Sequence, residues 1–436
     1  MRKGTQLRVD VISFAATLVL AILGIMFVYS SGLTSSGQLV SREYLRQIVW
    51  VITGMGMMVA VAFVDPKRVF GIAPLLYLGA CLVLAITLVI GREVNGARSW
   101  IGLGSIGGQP SEFAKIALVV MLAWLYARTP GRAATLRGFG IGFALALLPT
   151  GLTLLQPDFG TAMVFIPIFL GVALVAGARI EHVLYLLLLI VAVAALVVLP
   201  FWAQILNDTP GAIARGASDP TAMRIAFITL TAIFALSLIG RFVIRRPVFT
   251  VSAYLSSILV IALPASVVAR RVLQDYQIMR LVVFADPYVD PRGAGWNIIQ
   301  SMTAVGSGGL FGKGYLGGTH SHYQYLPQQS TDFIFSIMAE ELGFIGSLAI
   351  YALFAVLIGR ALYVGVNARD RFGGYLTAGV AVMVFFHFAV NVGMAIGIMP
   401  ITGIPLYFLS YGGSALWTAM LAIGLVMAVY HHRYQY

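Results

Sequence analysis

The chain holds a single cysteine, Cys81, among 436 residues, and only 10% of its residues are Asp, Glu, Lys or Arg. One cysteine excludes an intrachain disulfide framework and any cysteine-based metal cluster. Soluble domains carry about 25% charged residues, so this chain lacks the polar surface that a water-facing multidomain enzyme needs. Acids are scarcer still, with 16 Asp+Glu against 28 Lys+Arg and a formal net charge of +12. In a chain that is 60% hydrophobic, with mean hydropathy +0.92, such an excess points to the loop bias of a membrane protein rather than to nucleic acid. The N-terminal run from about Val9 to Ser31 exceeds the roughly 7–15 apolar residues of a secretory signal and lacks an A-x-A site after it, so it reads as a retained first span.

Long apolar runs are what the chain does have. Stretches of about 20 apolar residues, enough to cross a bilayer as a helix, fall near 9–31, 45–63, 70–90, 111–127, 138–156, 159–178, 184–204, 222–242, 248–268, 333–359, 374–398 and 412–430. The expected fold is therefore an all-α polytopic membrane protein of about twelve transmembrane helices. With the N-terminus in the cytoplasm, the inside loops collect sixteen Lys/Arg, among them Lys67, Arg128, Arg246, Arg360 and Arg433, against the four acids Asp10, Asp65, Glu181 and Asp370. The whole +12 then lies inside, as the positive-inside rule requires, and both termini are cytoplasmic. One connection breaks the short-loop pattern: an external, Gly-rich segment over about 269–331. Its Trp296, Ile298, Leu310, Phe311, Tyr315 and Tyr325 are the apolar and aromatic residues that disordered segments lack, so it is expected to fold onto the helix ends.

Four polar groups lie at the outer ends of spans. Gln109-Pro110-Ser111-Glu112 with Lys115 opens one helix, and Glu112 and Lys115 share a face at i, i+3. Gln156-Pro157-Asp158 breaks two apolar runs with almost no loop. Thr331-Asp332-Phe333 leads into a span that carries Glu340 and Glu341. Thr402-Gly403-Ile404-Pro405 and Ser410-Tyr411-Gly412-Gly413-Ser414 precede the last span. Each alone has a plain structural reading: an ion pair for Glu112 and Lys115, helix capping for Asp158 and Asp332, bundle hydrogen bonds for Glu340, Glu341 and His387, interfacial anchoring for Arg98 and Trp100. Ionisable residues inside membranes mark functional sites by default, and four groups converging on one face favour a shared cavity. Gly306 to Gly314 around Lys313 misses P-loop spacing but suits an anion nest. His320 and His322 lack the further ligands that a metal site requires.

The ordered set of motifs resembles the SEDS family (shape, elongation, division and sporulation). It comprises Asn95-Gly96-Ala97-Arg98-Ser99-Trp100, Gln109 to Glu112, Gln156 to Ala162, Asp286-Pro287, Gly293 to Trp296, Gln300-Ser301 and Gly306 to Gly314. Tyr325-Leu326-Pro327, Thr331 to Phe335, Glu340 to Gly343, Asn391 to Met394 and Ser410 to Ser414 complete it. Ser307-Gly308-Gly309 and Gly312-Lys313-Gly314 look more like the elongation branch than the division branch. The resemblance implies a peptidoglycan glycosyltransferase that polymerises lipid II on the outer face of the bacterial cytoplasmic membrane, working with a class B penicillin-binding protein. The family's catalytic aspartate falls on Asp332, its functional Glu and Lys on Glu112 and Lys115, and a further aspartate on Asp158. Three departures stand out. The family usually has ten spans, so residues 184–247 read as an inserted helix pair within a single integral domain. Gln328 and Ser330 replace a Glu and a His, and Tyr407 replaces a Pro.

Lipid II is α-linked to its pyrophosphate and the product is β-linked, so one inverting displacement suffices. Asp332 would be the general base on the acceptor hydroxyl. Arg98, Lys115 and Lys313 would meet the pyrophosphate, with Glu112 orienting Lys115 and Asp158 beside the substrate; a divalent cation, Mg or Mn, could bridge carboxylate and pyrophosphate. Two other readings use the same outward cavity: a lipid II flippase, which should carry ionisable residues near the midplane, and a scaffold for the penicillin-binding protein, which needs no converging carboxylates.

Overall fold

Helix starts in this chain are set by Asp and Pro. Asp10, Asp65, Asp158, Asp219 and Asp370 stand at helix N-caps and accept backbone N–H groups two or three residues on, satisfying donors that the first turn leaves open. Pro66, Pro110, Pro220 and Pro247 take first-turn positions, where a missing N–H costs nothing. A computed structural model describes residues 10–94, 96–103, 106–206, 216, 219–323, 325–326 and 328–433. Asn95 and Pro327 of the motifs, and Arg2, Lys3 and Arg8 of the inside charges, lie outside the described residues.

The helices are α1 (Val11–Ser31), α2 (Glu43–Ala62), α3 (Pro66–Ile90), α4 (Pro110–Arg128), α5 (Leu136–Leu154), α6 (Phe159–Val175), α7 (Ile180–Leu206), α8 (Pro220–Val243), α9 (Pro247–Val272), α10 (Asp275–Ala285), α11 (Ala294–Ser307), α12 (Ile334–Val366), α13 (Arg371–Ala395) and α14 (Gly413–His432). Among the described residues eleven helices are long and apolar enough to cross a membrane, and α6 is a shorter apolar one. Each overlaps one of the apolar runs read from the sequence. The segment over 269–331 is largely helical: it takes in the end of α9, then α10, α11 and a short turn at Thr319–His322. The all-α expectation is amended by a small antiparallel sheet between α3 and α4, with β1 (Arg92–Val94), β2 (Ala97–Leu103) and β3 (Ile106–Gly108) in order. Its register pairs Arg92 with Trp100 and Ile101 with Gly108.

The chain forms two compact units: residues up to Ala178 together with those from Trp296 on, and Arg179–Gly295. The second contains residues 184–247. Within it α9 packs on α7 and α8. Within the first, α13 packs on α12, α4 and α6, α14 packs on α2, and α1 lies along α12. Gly54 and Gly424 permit the close α2–α14 approach, facing Met420 and Met58.

Between α13 and α14 the chain turns back into the first unit without helix. Ile404, Leu406, Tyr407, Phe408 and Leu409 are all buried, and Gly24 of α1 leaves no room for a β-carbon against the Phe408 carbonyl. Buried irregular backbone in a membrane protein must find partners for its polar groups inside the protein. It does so through side chains of the surrounding helices. Asn391 donates to the Ile404 carbonyl at 2.8 Å, His387 Nδ1 stands 3.0 Å from the Pro405 carbonyl, and Gln47 donates to the Ser410 carbonyl at 3.1 Å. The Leu406 N–H donates to Ser410 Oγ at 2.8 Å.

Candidate active site

The re-entrant segment over 401–412 brings the sequence-predicted groups together. On one side stands Asp332, half-buried just ahead of α12. Its backbone carbonyl accepts from Asn391 Nδ2 at 2.8 Å, the same amide that holds Ile404. The neighbouring Thr331 carbonyl accepts from Ser410 Oγ at 2.6 Å, and the Tyr411 N–H donates to the Ser330 carbonyl at 2.8 Å. Three successive residues around Asp332 are thus pinned to the segment. Its carboxylate faces Gly403, where a β-carbon would stand 3.4 Å from Oδ2. Gly403 has φ +73°, a conformation that glycine adopts freely and side chains do not.

On the other side lies Asp158, the N-cap of α6. Its side chain accepts the Thr161 N–H at 3.1 Å and is also bound by Gln109 Nε2. Gln109 is itself held by its backbone N–H donating to Ser414 Oγ at 2.9 Å. Two residues after Asp158, Gly160 lies so close to the Thr402 carbonyl that a β-carbon would collide with it. Asp158 and Asp332 therefore flank the Thr402–Gly403 step. Burial raises the Asp158 carboxyl above the usual carboxylate range, opposed by the Thr161 and Gln109 hydrogen bonds and the Lys115 charge.

Beneath the segment is a fully buried charged cluster. Lys115 Nζ pairs with Glu112 Oε1 at 2.6 Å, with side-chain exposures of 0% and 2%. The ammonium also stands 3.0 Å from His387 Nε2, and the Tyr407 hydroxyl reaches Glu112 Oε2 at 3.4 Å. The Tyr407 ring stacks on the His387 imidazole with centroids 3.7 Å apart. The neighbours fix the tautomer. A carbonyl oxygen only accepts, so Nδ1 carries the proton; an ammonium only donates, so Nε2 is bare. An imidazolium here would set two positive charges side by side with one carboxylate between them.

Neither the Glu112 nor the Lys115 side chain reaches the surface in this arrangement. What the pair touches is His387 and Tyr407, and through them the backbone that seats Asp332. Lys313 is also engaged: its ammonium lies 2.6 Å from Glu340 Oε1, and Glu340 further accepts from the Thr319 N–H at 2.9 Å and the His320 N–H at 3.1 Å. Glu341 accepts from Ser30 Oγ and from the Leu316 N–H at 3.1 Å. The glycine-rich loop is thereby folded against the break in α12 at Gly343, φ +69°, with the Lys313 and Gly314 N–H groups on the Glu340 and Glu341 carbonyls. The Gly312, Lys313 and Gly314 N–H groups of the expected anion nest thus donate to backbone carbonyls, and the Lys313 ammonium pairs with the Glu340 carboxylate. Arg98 stands apart on β2, exposed, 3.6 Å from Glu93.

His387 makes the bundle hydrogen bonds expected of it, to the Pro405 carbonyl and beside Lys115, while Tyr407, which the sequence shows only as a departure from a motif, packs on its ring; the sequence alone assigns neither to the site. The signal for His387 was a lone imidazole in an apolar helix, which does not name its partner 272 residues away. A resident metal centre does not fit these residues: among the described residues no three His, Cys, Asp or Glu side chains stand together as ligands.

With this geometry in place, the chain can be set beside known proteins. The sequence profile of the FtsW/RodA/SpoVE family, described as cell cycle proteins, matches residues 11–208 and 221–435. The chain is 43% identical over 420 residues to the peptidoglycan glycosyltransferase RodA of Treponema pallidum, covering 96% of this chain and 97% of that protein. It is 33% identical over 426 residues to the peptidoglycan glycosyltransferase MrdB of Escherichia coli, covering 97% and 95%. A solved structure described as a peptidoglycan synthase complex that coordinates polymerization and crosslinking aligns with TM-score 0.68 at 27% identity, over 99% of this chain and all of that one.

Proposed function

The chain belongs to the FtsW/RodA/SpoVE family, and on that premise we propose that it is a multi-pass membrane peptidoglycan glycosyltransferase that polymerises lipid II for cell elongation, with Asp332 as its general base. The observation that carries the residue assignment is the seat of Asp332. A half-buried aspartate whose backbone carbonyl is held by Asn391 and whose carboxylate faces a glycine has a set position beside the Thr402–Gly403 step. It accepts the proton of the acceptor sugar hydroxyl as that oxygen attacks the anomeric carbon, and the lipid pyrophosphate departs from the opposite face. The reach required is about 2.6–3.2 Å in the reactive complex. One displacement inverts the α-link of lipid II to the β-link of the glycan.

Glu112, Lys115, His387 and Tyr407 act as positioning residues, keeping the segment beneath Asp332 in register. Asp158 stands across the Thr402–Gly403 step from Asp332 and lines the substrate side, while Arg98 on the exposed hairpin meets the pyrophosphate. Lys313 supports the site through Glu340. The site faces the outside of the cytoplasmic membrane with both termini inside, and a class B penicillin-binding protein is the partner that crosslinks the strands. The positive-inside count supports this orientation.

The test is lipid II polymerisation by the purified full-length protein, with and without that partner, comparing wild type with Asp332→Asn. Glycan strands from wild type and none from a variant with unchanged thermal stability support the reading. Equal polymer from both moves the base to Asp158, and no polymer from wild type under either condition removes the enzymatic reading.

A further inference from the structure

Residues 179–295 hold none of the groups assigned to the reaction, yet they enclose a groove of about 720 Å³ between α8 and α9, within the range of about 300–1,000 Å³ typical of ligand sites. The two helices are fastened toward one end, where Ser237 bonds Ser252 at 2.8 Å and Gly240 lies against the Phe249 ring. Toward the other end they part. The walls there are apolar, Met223, Phe227 and Pro264 among them, and three arginines, Arg224, Arg270 and Arg271, stand at the helix ends. Arg270 lies across the gap, its Nε donating to the Ser266 carbonyl and its Nη2 reaching Met223 Sδ, both at 3.4 Å.

We propose that this groove binds an anionic glycerophospholipid, with its phosphate on the three arginines and its acyl chains along α8 and α9. Charge complementarity carries the assignment. Among the described residues three guanidinium groups line the groove and no carboxylate does, and guanidinium is the side chain best matched to phosphate oxygens. Basic pockets between transmembrane helices are recognised by anionic headgroups. The occupant is a phospholipid rather than a glycosylated carrier lipid, because among the described residues no amide, hydroxyl or carboxylate side chain lines the groove and a sugar headgroup would leave its own donors and acceptors unmatched there. Helix α8 suits this role: only Ser237 and Gly240 are buried along its described length, so its apolar surface is left for acyl chains.

The experiment reconstitutes the full-length protein in phosphatidylcholine nanodiscs doped with phosphatidylglycerol, extracts it under a delipidating wash, and quantifies retained lipid by mass spectrometry. Phosphatidylglycerol should be enriched over phosphatidylcholine on wild type. The triple variant R224Q/R270Q/R271Q should lose the enrichment by on the order of a hundredfold, a loss of roughly fivefold per arginine. R241Q/R245Q/R246Q, with the same charge loss at the other end of α8, should keep it. If the triple variant does not fold, Val267→Trp fills the groove with every arginine in place and should also lose the lipid. Equal retention by wild type and either groove variant, no preference for phosphatidylglycerol on wild type, or displacement of phosphatidylglycerol by equimolar undecaprenyl diphosphate would each overturn the proposal. The readout is lipid retention, so it stands or falls apart from the polymerisation assay.

Discussion

Two ion pairs, one buried and one partly buried, stand at opposite ends of the first unit, and they are built for different purposes. Asp10 and Arg360 are 350 residues apart in sequence and meet at 3.0 Å, with the guanidinium between the Tyr363 and Tyr430 rings, each 4.9 Å from its centroid. Asp10 also caps α1, so this pair fastens the start of α1 to α12 and α14, and Arg360 lies beyond the Gly343 break in α12 from Asp332. Glu112 and Lys115 are three residues apart on one helix. Their bond ties nothing that the α4 backbone does not already tie, yet both charges are withdrawn from solvent, which costs more than their mutual attraction returns unless further bonds satisfy them. The extra bonds go to His387 and Tyr407 and lead to the segment under Asp332. One pair holds helices together; the other makes sense only through the site it supports.

The largest effect that can break this comparison comes from Lys115→Met. It leaves Glu112 buried without a counter-charge and should cost about 3–5 kcal/mol of stability along with activity. The double variant Glu112→Gln/Lys115→Met should recover most of the thermal stability while polymerisation stays lost. A double variant that recovers both would make the pair a structural accident. Asp10→Asn comes next: it should lower the detergent melting temperature by the equivalent of about 3 kcal/mol, and kcat per folded molecule should not move. A fall in kcat that tracks no loss of folded protein would show that the far clamp reaches the site, and the contrast between the ends would fail.

A smaller effect sharpens the contrast at a single carbon. Gly403→Ala places a methyl group facing the Asp332 carboxylate at φ +73°, a conformation that costs a non-glycine residue roughly 1–2 kcal/mol. Activity should fall about tenfold or more, with a KM that rises less than kcat falls. An alanine at Gly56, where the added carbon meets nothing, should leave both constants unchanged.

These residues also show how far the sequence could be read. The spans were legible because about 20 apolar residues are a physical requirement of the bilayer, and each run could be judged alone. Asp332, Asp158, Glu112 and Lys115 stood out because ionisable residues near apolar runs are rare and expensive. What pairs with what was not legible. Asp10 and Arg360 entered the charge count as separate loop charges, and nothing local announces that they neutralise each other. Lys313 looked like a free anion ligand because Glu340, its partner, lies 27 residues away across a loop. The hairpin over 92–108 was hidden in a short Gly-rich connection, too brief for period-two alternation to rise above noise.

That hairpin carries the smallest of the expected effects and the one that separates the rival roles of Arg98 most cleanly. Arg98 and Glu93 are both mostly exposed, at 3.6 Å, and such surface pairs contribute about 1 kcal/mol or less. Arg98→Gln should therefore leave the melting temperature almost unchanged. If the guanidinium serves only the hairpin, Arg98→Gln and Glu93→Gln remove the same bond and should give the same small change in the polymerisation rate. If it meets the pyrophosphate, the two part in sign: Arg98→Gln raises KM for lipid II, whereas Glu93→Gln releases the guanidinium from a competing anion and leaves KM equal or lower. Added salt acts on the same term, because exposed charges are screened within about 10 Å at 0.1 M. The KM difference between the two variants should then shrink as ionic strength rises, while the losses from Lys115→Met, whose charges lie beyond the reach of counterions, should not.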